Sequence, residues 1–306
     1  MTENSIATVL IFLTGIYAAA AFSQEDNDSI AFVAEVGIGG EYDSNVSVDE
    51  VDLNSSQSDY GLTLDAKLGA HTKLSDNTEL DLSYDYSQTN YSEFSLVNRK
   101  THILGSSLDF DMGKLDSGVS FFYIQSRLDN KRFLEFYRVS PSISGFLAKK
   151  WFARGAYVYS DKIIENRSER DAVSQSAELD LYFFLRGLRR YFNFGYQYKY
   201  ENAKAKEFDY KSGNLKVRYI HRFDLFSKVA TLQLALRYED RSYLSTTPDI
   251  DKNRDDKRER WRIDLKMPVT EKAAVQFYAG YSDYDSNLPR ADYTQNILGT
   301  RFVYRW

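Results

Sequence analysis

The sequence predicts an all-β protein: a closed antiparallel transmembrane β-barrel of about 14 strands with both termini periplasmic. Three observations predict it. From residue 31 to the end, apolar and polar residues alternate with period two, so one face of each run differs sharply from the other. The connections between runs are short on one side and long on the other. The composition is aromatic yet polar, with 24 Tyr, 20 Phe and 3 Trp among 306 residues and 27% charged, at a mean hydropathy of −0.50. Such a chain cannot supply several apolar helices of about 20 residues each, and it carries too many large aromatics for a solvated tail. The absence of Cys excludes a disulfide scaffold, a thiolate metal site, a cysteine nucleophile and a lipid-modified N-terminal Cys. The net charge of −5 has the wrong sign for a nucleic-acid partner.

Residues 5–22 form the one long apolar run and end in the small-x-small triplet Ala21, Phe22, Ser23. Residues 1–23 therefore read as a secretory signal peptide. Glu3, with no Lys or Arg near it, leaves a misplaced start codon or a single membrane anchor as the alternatives. Residues 24–30 make a short periplasmic segment, too brief for a domain, and residues 31–306 the barrel.

The alternation is clearest where Phe192, Phe194, Tyr196, Tyr198 and Tyr200 share one face and Asn193, Gly195, Gln197, Lys199 and Glu201 the other. It recurs in Tyr60, Leu62 and Leu64 against Asp59, Thr63 and Asp65, and in Trp261, Ile263 and Leu265 against Arg260, Arg262 and Asp264. Fourteen such runs are expected at 31–43, 58–73, 78–88, 100–112, 117–127, 135–147, 151–161, 174–185, 190–201, 210–221, 229–240, 258–267, 273–283 and 293–306. Short turns fall at 74–77, 113–116, 148–150, 186–189 and 268–272, and long polar loops at 44–57, 89–99, 162–173 and 241–257. A barrel of this kind closes because an open edge would leave unpaired backbone groups in lipid. Tyr42, Tyr86, Tyr200, Tyr238 and Tyr281, near the long loops, suit an interfacial girdle. Pro141 predicts a bulge in the sixth run or a misplaced strand there. Gly299, Phe302, Tyr304 and Trp306 resemble the C-terminal signal of the barrel assembly machinery, which is expected as a partner beside outer-membrane lipid.

Charge is sorted along the chain, with 16 acids and 5 bases in residues 30–117 against 13 acids and 21 bases in residues 186–272. Inward positions are acidic at Glu35, Glu41, Asp59, Asp65, Asp81, Asp85, Asp109 and Asp111. They are basic at Lys199, Lys216, Arg218, Arg237, Arg260, Arg262 and Lys266. Two readings follow: a transverse field that orients a dipolar solute, or opposite walls bridged across a narrow lumen.

Little else points to chemistry. His71, His102 and His221 are scattered, and no Gly-x-Ser-x-Gly or Ser-His-acid grouping is placed by spacing, so no enzyme and no cofactor are expected. Asp249, Asp251, Asn253 and Asp255 have calcium-cage spacing, but Arg254 stands where the cage needs Gly and Arg260 where it needs a bidentate Glu. Glu41-Tyr-Asp-Ser-Asn-Val46 and Asp283-Tyr-Asp-Ser-Asn-Leu288 repeat at strand ends, where Asx turns are expected and where strand 14 must zip to strand 1.

Residues 281–302 (YSDYDSNLPRADYTQNILGTRF), with Gly40 to Val46, resemble the C-terminal barrel of the surface lipoprotein assembly modifier (Slam) family. The resemblance implies a fourteen-stranded outer-membrane barrel that assists export or surface display, with an exported lipoprotein as client. Members of that family carry a periplasmic tetratricopeptide domain before the barrel, whereas only residues 24–30 precede strand 1 here. The readings kept beside it are a solute-diffusion porin, with a small solute as partner, and a non-conducting structural or adhesive barrel. Phe223, Leu225 and Phe226, in an expected turn at 221–228, are the apolar candidates for meeting a client at the periplasmic mouth.

Overall fold

The computed structural model describes residues 30–306, so the signal peptide and most of the short segment after it lie outside the described residues. Fourteen strands close into one antiparallel barrel in chain order. They are β1 (Ala31–Asp43), β2 (Asp59–Ser75), β3 (Thr78–Tyr91), β4 (Arg99–Asp111), β5 (Asp116–Leu128), β6 (Lys131–Ala148) and β7 (Trp151–Ile164). They continue as β8 (Ala172–Phe184), β9 (Arg190–Ala203), β10 (Tyr210–Leu225), β11 (Lys228–Thr247), β12 (Lys252–Pro268), β13 (Ala273–Ser286) and β14 (Tyr293–Arg305). β1 and β14 seal the barrel from Glu35↔Arg305 to Asp43↔Ile297. Closure pairs every strand on both sides, so no edge remains.

Period two sorts the side chains. Leu62, Leu64, Tyr196, Tyr198, Trp261, Ile263, Leu298 and Phe302 are all exposed, while Thr63, Asp180, Asn193, Glu239 and Arg301, in the alternate phase, are buried. An apolar exterior around a polar interior inverts a soluble protein, and an apolar band of this extent requires lipid. The five girdle tyrosines lie on this outer face, but strands run on beyond them: β11 continues past Tyr238 to Thr247.

β11 and β12 are several residues longer than the period predicts, and the expected loop 241–257 shrinks to a connection at 248–251. Residues 221–228 likewise continue the strands, leaving a tight turn at Phe226 and Ser227 with φ of 47° and 64°. Phe223 and Leu225 therefore belong to β10, in phase with exposed Leu215 on the outer face. Asp129 and Asn130, at φ 46° and 63°, make another tight hairpin of the primed type. The bulge expected at Pro141 does not form. Pro141 pairs with Val119, and on the other side the register is the same at Val139↔Tyr159 and Ser142↔Ala156. The missing N–H costs a rung of the ladder without shifting it. Both described ends of the chain lie at the short-turn end of the barrel.

Candidate functional site

At the opposite end, the loop between β1 and β2 folds inward. Residues 44–58 include a miniature ladder of Ser47 and Val48 with Leu53 and Asn54 and a single helical turn, Asp49–Val51. Val48 is buried among Ile103, Phe122, Ile124, Phe133, Leu134 and Ile164, a cluster on β4 to β7, with Val51 packed beside it. On the other side of the mouth, Asp49 accepts from the hydroxyls of Tyr284 on β13 at 2.6 Å and Tyr293 on β14 at 2.5 Å. Contacts to walls on both sides mean that this loop bars the lumen at its long-loop end.

Charge locks the bar. Arg254 on β12 donates from Nη1 and Nη2 to the two oxygens of Asp52 at 2.9 Å each and from Nε to Asp256 at 2.7 Å. Arg170, from the β7–β8 loop, donates to Asp52 at 2.5 Å and to the carbonyl of Glu50 at 3.2 Å. Arg99 forks onto the Glu50 carboxylate at 3.3 and 3.2 Å. Burial by itself would push the Asp52 carboxyl up, but the hydrogen bonds and charges of Arg254 and Arg170 prevail and hold it below the usual carboxylate range. Arg254 is among the largest fully buried side chains, with its guanidinium 4.8 Å from the Tyr243 ring centre. Beneath the bar lies a cavity of about 130 Å³ lined by Asp49, Glu50 and Asp52 and by β6 to β11, with Arg258 of β12.

The inward charges expected from the sequence lie on the lumenal face, but their partners are local. Lys199 pairs with Glu201 at 2.5 Å, Lys216 with Asp180 at 2.9 Å and Arg262 with Asp264 at 2.9 Å. Arg237 and Arg260 flank Glu239 at 3.9 and 3.8 Å, and Arg218 donates to Asn193 at 3.3 Å. The basic sector thus carries its own acids, interleaved along the same and neighbouring strands, which damps a transverse field. Lys266 leaves it to reach Glu35 at 2.9 Å. Outside that sector, Arg301 of β14 lies over Gly37, where a Cβ would meet it at 2.7 Å, to reach Asp65 at 2.9 Å.

The remaining acids have structural partners. Glu41 accepts from Tyr278 at 2.9 Å, Asp81 meets His71 at 3.0 Å and Asp85 meets Lys67 at 3.6 Å. Asp59 accepts the backbone N–H groups of Glu93 and Phe94, Asp109 accepts from Ser107 and Asp111 from Gly113 in a turn. The calcium spacing does not become a cage. Asp249 sits in a helical turn paired with Arg290, Asp251 is left-handed at φ 50°, and Asn253 and Asp255 are in β12. Among the described residues, no group of three or more His, Cys, Asp or Glu is placed to hold a metal.

The loops that follow the two Asp-Ser-Asn repeats lie side by side, with Asn54 donating to the carbonyl of Arg290 at 2.9 Å. Asp43 makes the Asx turn to Asn45 at 3.0 Å and also accepts from Tyr91 and Gln295, whereas the second copy uses the Ser286 hydroxyl to hold Leu288. Gly299 leaves room for the Tyr278 ring, whose Cζ a Cβ there would meet at 2.2 Å. Phe302 and Trp306 are exposed, and Trp306 packs edge-on against Tyr304 at 4.9 Å. Asp49, Glu50, Asp52, Arg99, Arg170 and Arg254 escape a reading of the sequence. The available signal was Val46, Val48 and Val51, three apolar residues in an otherwise polar loop.

The family description "Surface lipoprotein assembly modifier" matches residues 19–294. No curated protein matches in sequence. Among solved structures, an anion-selective porin from Comamonas acidovorans is similar at a TM-score of 0.52 and 8% identity, covering 91% of this chain and 100% of that one. OmpT, an outer membrane protein of Vibrio cholerae, is similar at 0.51 and 9% identity, covering 92% and 100%. At such identities the likeness is one of fold, and it agrees with the apolar exterior. The chain is an outer-membrane β-barrel protein that belongs to the surface lipoprotein assembly modifier family.

Proposed function

We propose that this barrel assists the surface display of lipoproteins across the outer membrane, with its short-turn end and both termini in the periplasm. The observation that carries the proposal is the family match over residues 19–294. The bar formed by residues 44–58 supports it against a standing solute pore. A diffusion channel needs a free path, whereas here Val48 and Asp52 fasten one loop to both sides of the mouth. Turns at the other end run no longer than residues 185–189, too short to fold across the lumen, so a client would enter there. The test is surface display of a co-encoded lipoprotein, read by antibody and by protease on intact cells. Display should fall without this gene and return on complementation. Unchanged display, together with large conductance of the purified barrel in a planar bilayer, would overturn the proposal in favour of a pore.

A further inference from the structure

Apart from the apolar cluster that holds Val48 under the bar, a second apolar sector faces the lumen, at the short-turn end. There Phe146 of β6, Phe152 of β7, Tyr182 and Phe184 of β8 and Tyr191 of β9 share the inward phase with Arg154, Asp180 and Asn193. Their rings touch as one pad: Phe146 lies 5.2 Å from Phe152 and 6.1 Å from Phe184, Phe152 lies 5.9 Å from Tyr182, and Phe184 lies 5.8 Å from Tyr191. Water-facing aromatics cost free energy, yet Phe146 is 65% exposed.

The pad does not stop at the rim. After the bulge between Phe146 and Ala148, Leu147 is 69% exposed. Across the turn, Trp151 stacks on Phe183 at 4.6 Å, in phase with exposed Tyr157 and Leu179 on the lipid-facing surface. An apolar path therefore leads from the bilayer side of the barrel, over the β6–β7 turn, to the pad inside. Lys149 and Lys150 stand on that turn, exposed where lipid phosphates would lie. One step deeper, Arg154 holds a buried Nη1 with no hydrogen-bond partner among the described residues.

We propose that this pad is the lumenal docking site for the acyl chains of a lipidated client, with Arg154 as donor to a carbonyl oxygen beside them. The inference rests on the proposed role in lipoprotein display and adds what part of the client is held. The occupant follows from chemistry. An extended polypeptide would seek free backbone groups, and a closed barrel has no strand edge to offer. An acyl chain needs only apolar contact, and its route is continuous with the bilayer in which such chains reside.

The test uses the full barrel in detergent and a synthetic tripalmitoyl-cysteinyl peptide with a diazirine in one acyl chain. Irradiation should label the strands bearing Phe146, Phe152 and Phe184. Phe146→Ser with Phe184→Ser should cut that labelling by about tenfold, while Phe146→Leu with Phe184→Leu, which keeps an apolar surface, should retain most of it. Heat-modifiable mobility of both variants on gels certifies the fold. Equal labelling of the Ser and Leu pairs would overturn the proposal. So would competition by the deacylated peptide, which would assign the site to polypeptide, or equal lumenal labelling by a diazirine phosphatidylcholine, which would assign it to bulk lipid. Failure here with display still dependent on the gene removes the pad and leaves the wider function standing.

Discussion

Asp52 concentrates the energetics of the bar, because it is buried and saturated by two guanidinium groups. Breaking a buried ion pair from one side leaves the other charge uncompensated, at a cost of about 3–5 kcal/mol. Arg254→Ala removes the forked pair from Asp52 and weakens Asp256, leaving Arg170 and Arg258 as their remaining cations, and should loosen residues 46–54, seen as faster amide hydrogen exchange there with the strands unchanged. Unaltered exchange in this segment would mean that Val48, Asp49, Glu50 and Arg170 hold the loop without Arg254. The same pair sets a pH dependence. The folded-in carboxyl titrates below its ordinary value of 3.8, so it favours the closed loop fully above that value and progressively less as pH falls through the depressed one. Protection of the loop amides in the wild type, exchange relative to the intrinsic rate at each pH, should therefore be flat from neutrality to about pH 4 and fall only in stronger acid. In Asp52→Asn, already fast, that acid limb should be absent.

Strand-to-strand connections are where this barrel departs most from a minimal scaffold. Deleting residues 46–56 removes the bar but leaves β1 and β2 paired from Ala31↔His71 to Asp43↔Asp59. The shortened barrel should fold and conduct ions in a planar bilayer far better than the wild type, and equal conductance would show that the lumen is obstructed elsewhere. The β10–β11 turn is a different departure. Phe226 adopts φ 47° and is 92% exposed, a conformation that glycine or asparagine takes easily and a bulky residue only at a cost of about 1–3 kcal/mol. Phe226→Asn should raise the temperature at which the barrel loses its compact gel mobility. If it lowers that temperature, the ring contributes a contact that outweighs the strain.

At the scale of the whole molecule, strand number and facing were legible because lipid and lumen impose opposite polarity on successive residues. The signal fades where a strand leaves the membrane. In β12, buried Arg254, Asp256 and Arg258 alternate with outward Asp255, Lys257 and Glu259, so both faces are charged and the strand resembles a loop. The bar was hidden for a related reason: its anchors, Arg99, Arg170 and Arg254, are far from residues 44–58 in sequence and meet them only through closure. Closure also carries the last prediction. β14 pairs with β1 and with β13, so removing residues 302–306 takes rungs from both seams and exposes backbone groups to hydrocarbon. That deletion should abolish a heat-modifiable barrel in cells and in refolding alike. Phe302→Ala with Tyr304→Ala keeps the backbone pairing and removes only outward rings, which separates closure from recognition. The double variant should refold from urea into detergent as the wild type does, yet insert poorly in cells if an assembly machinery reads those rings. Normal insertion in cells would reduce the C-terminal aromatics to members of the interfacial girdle.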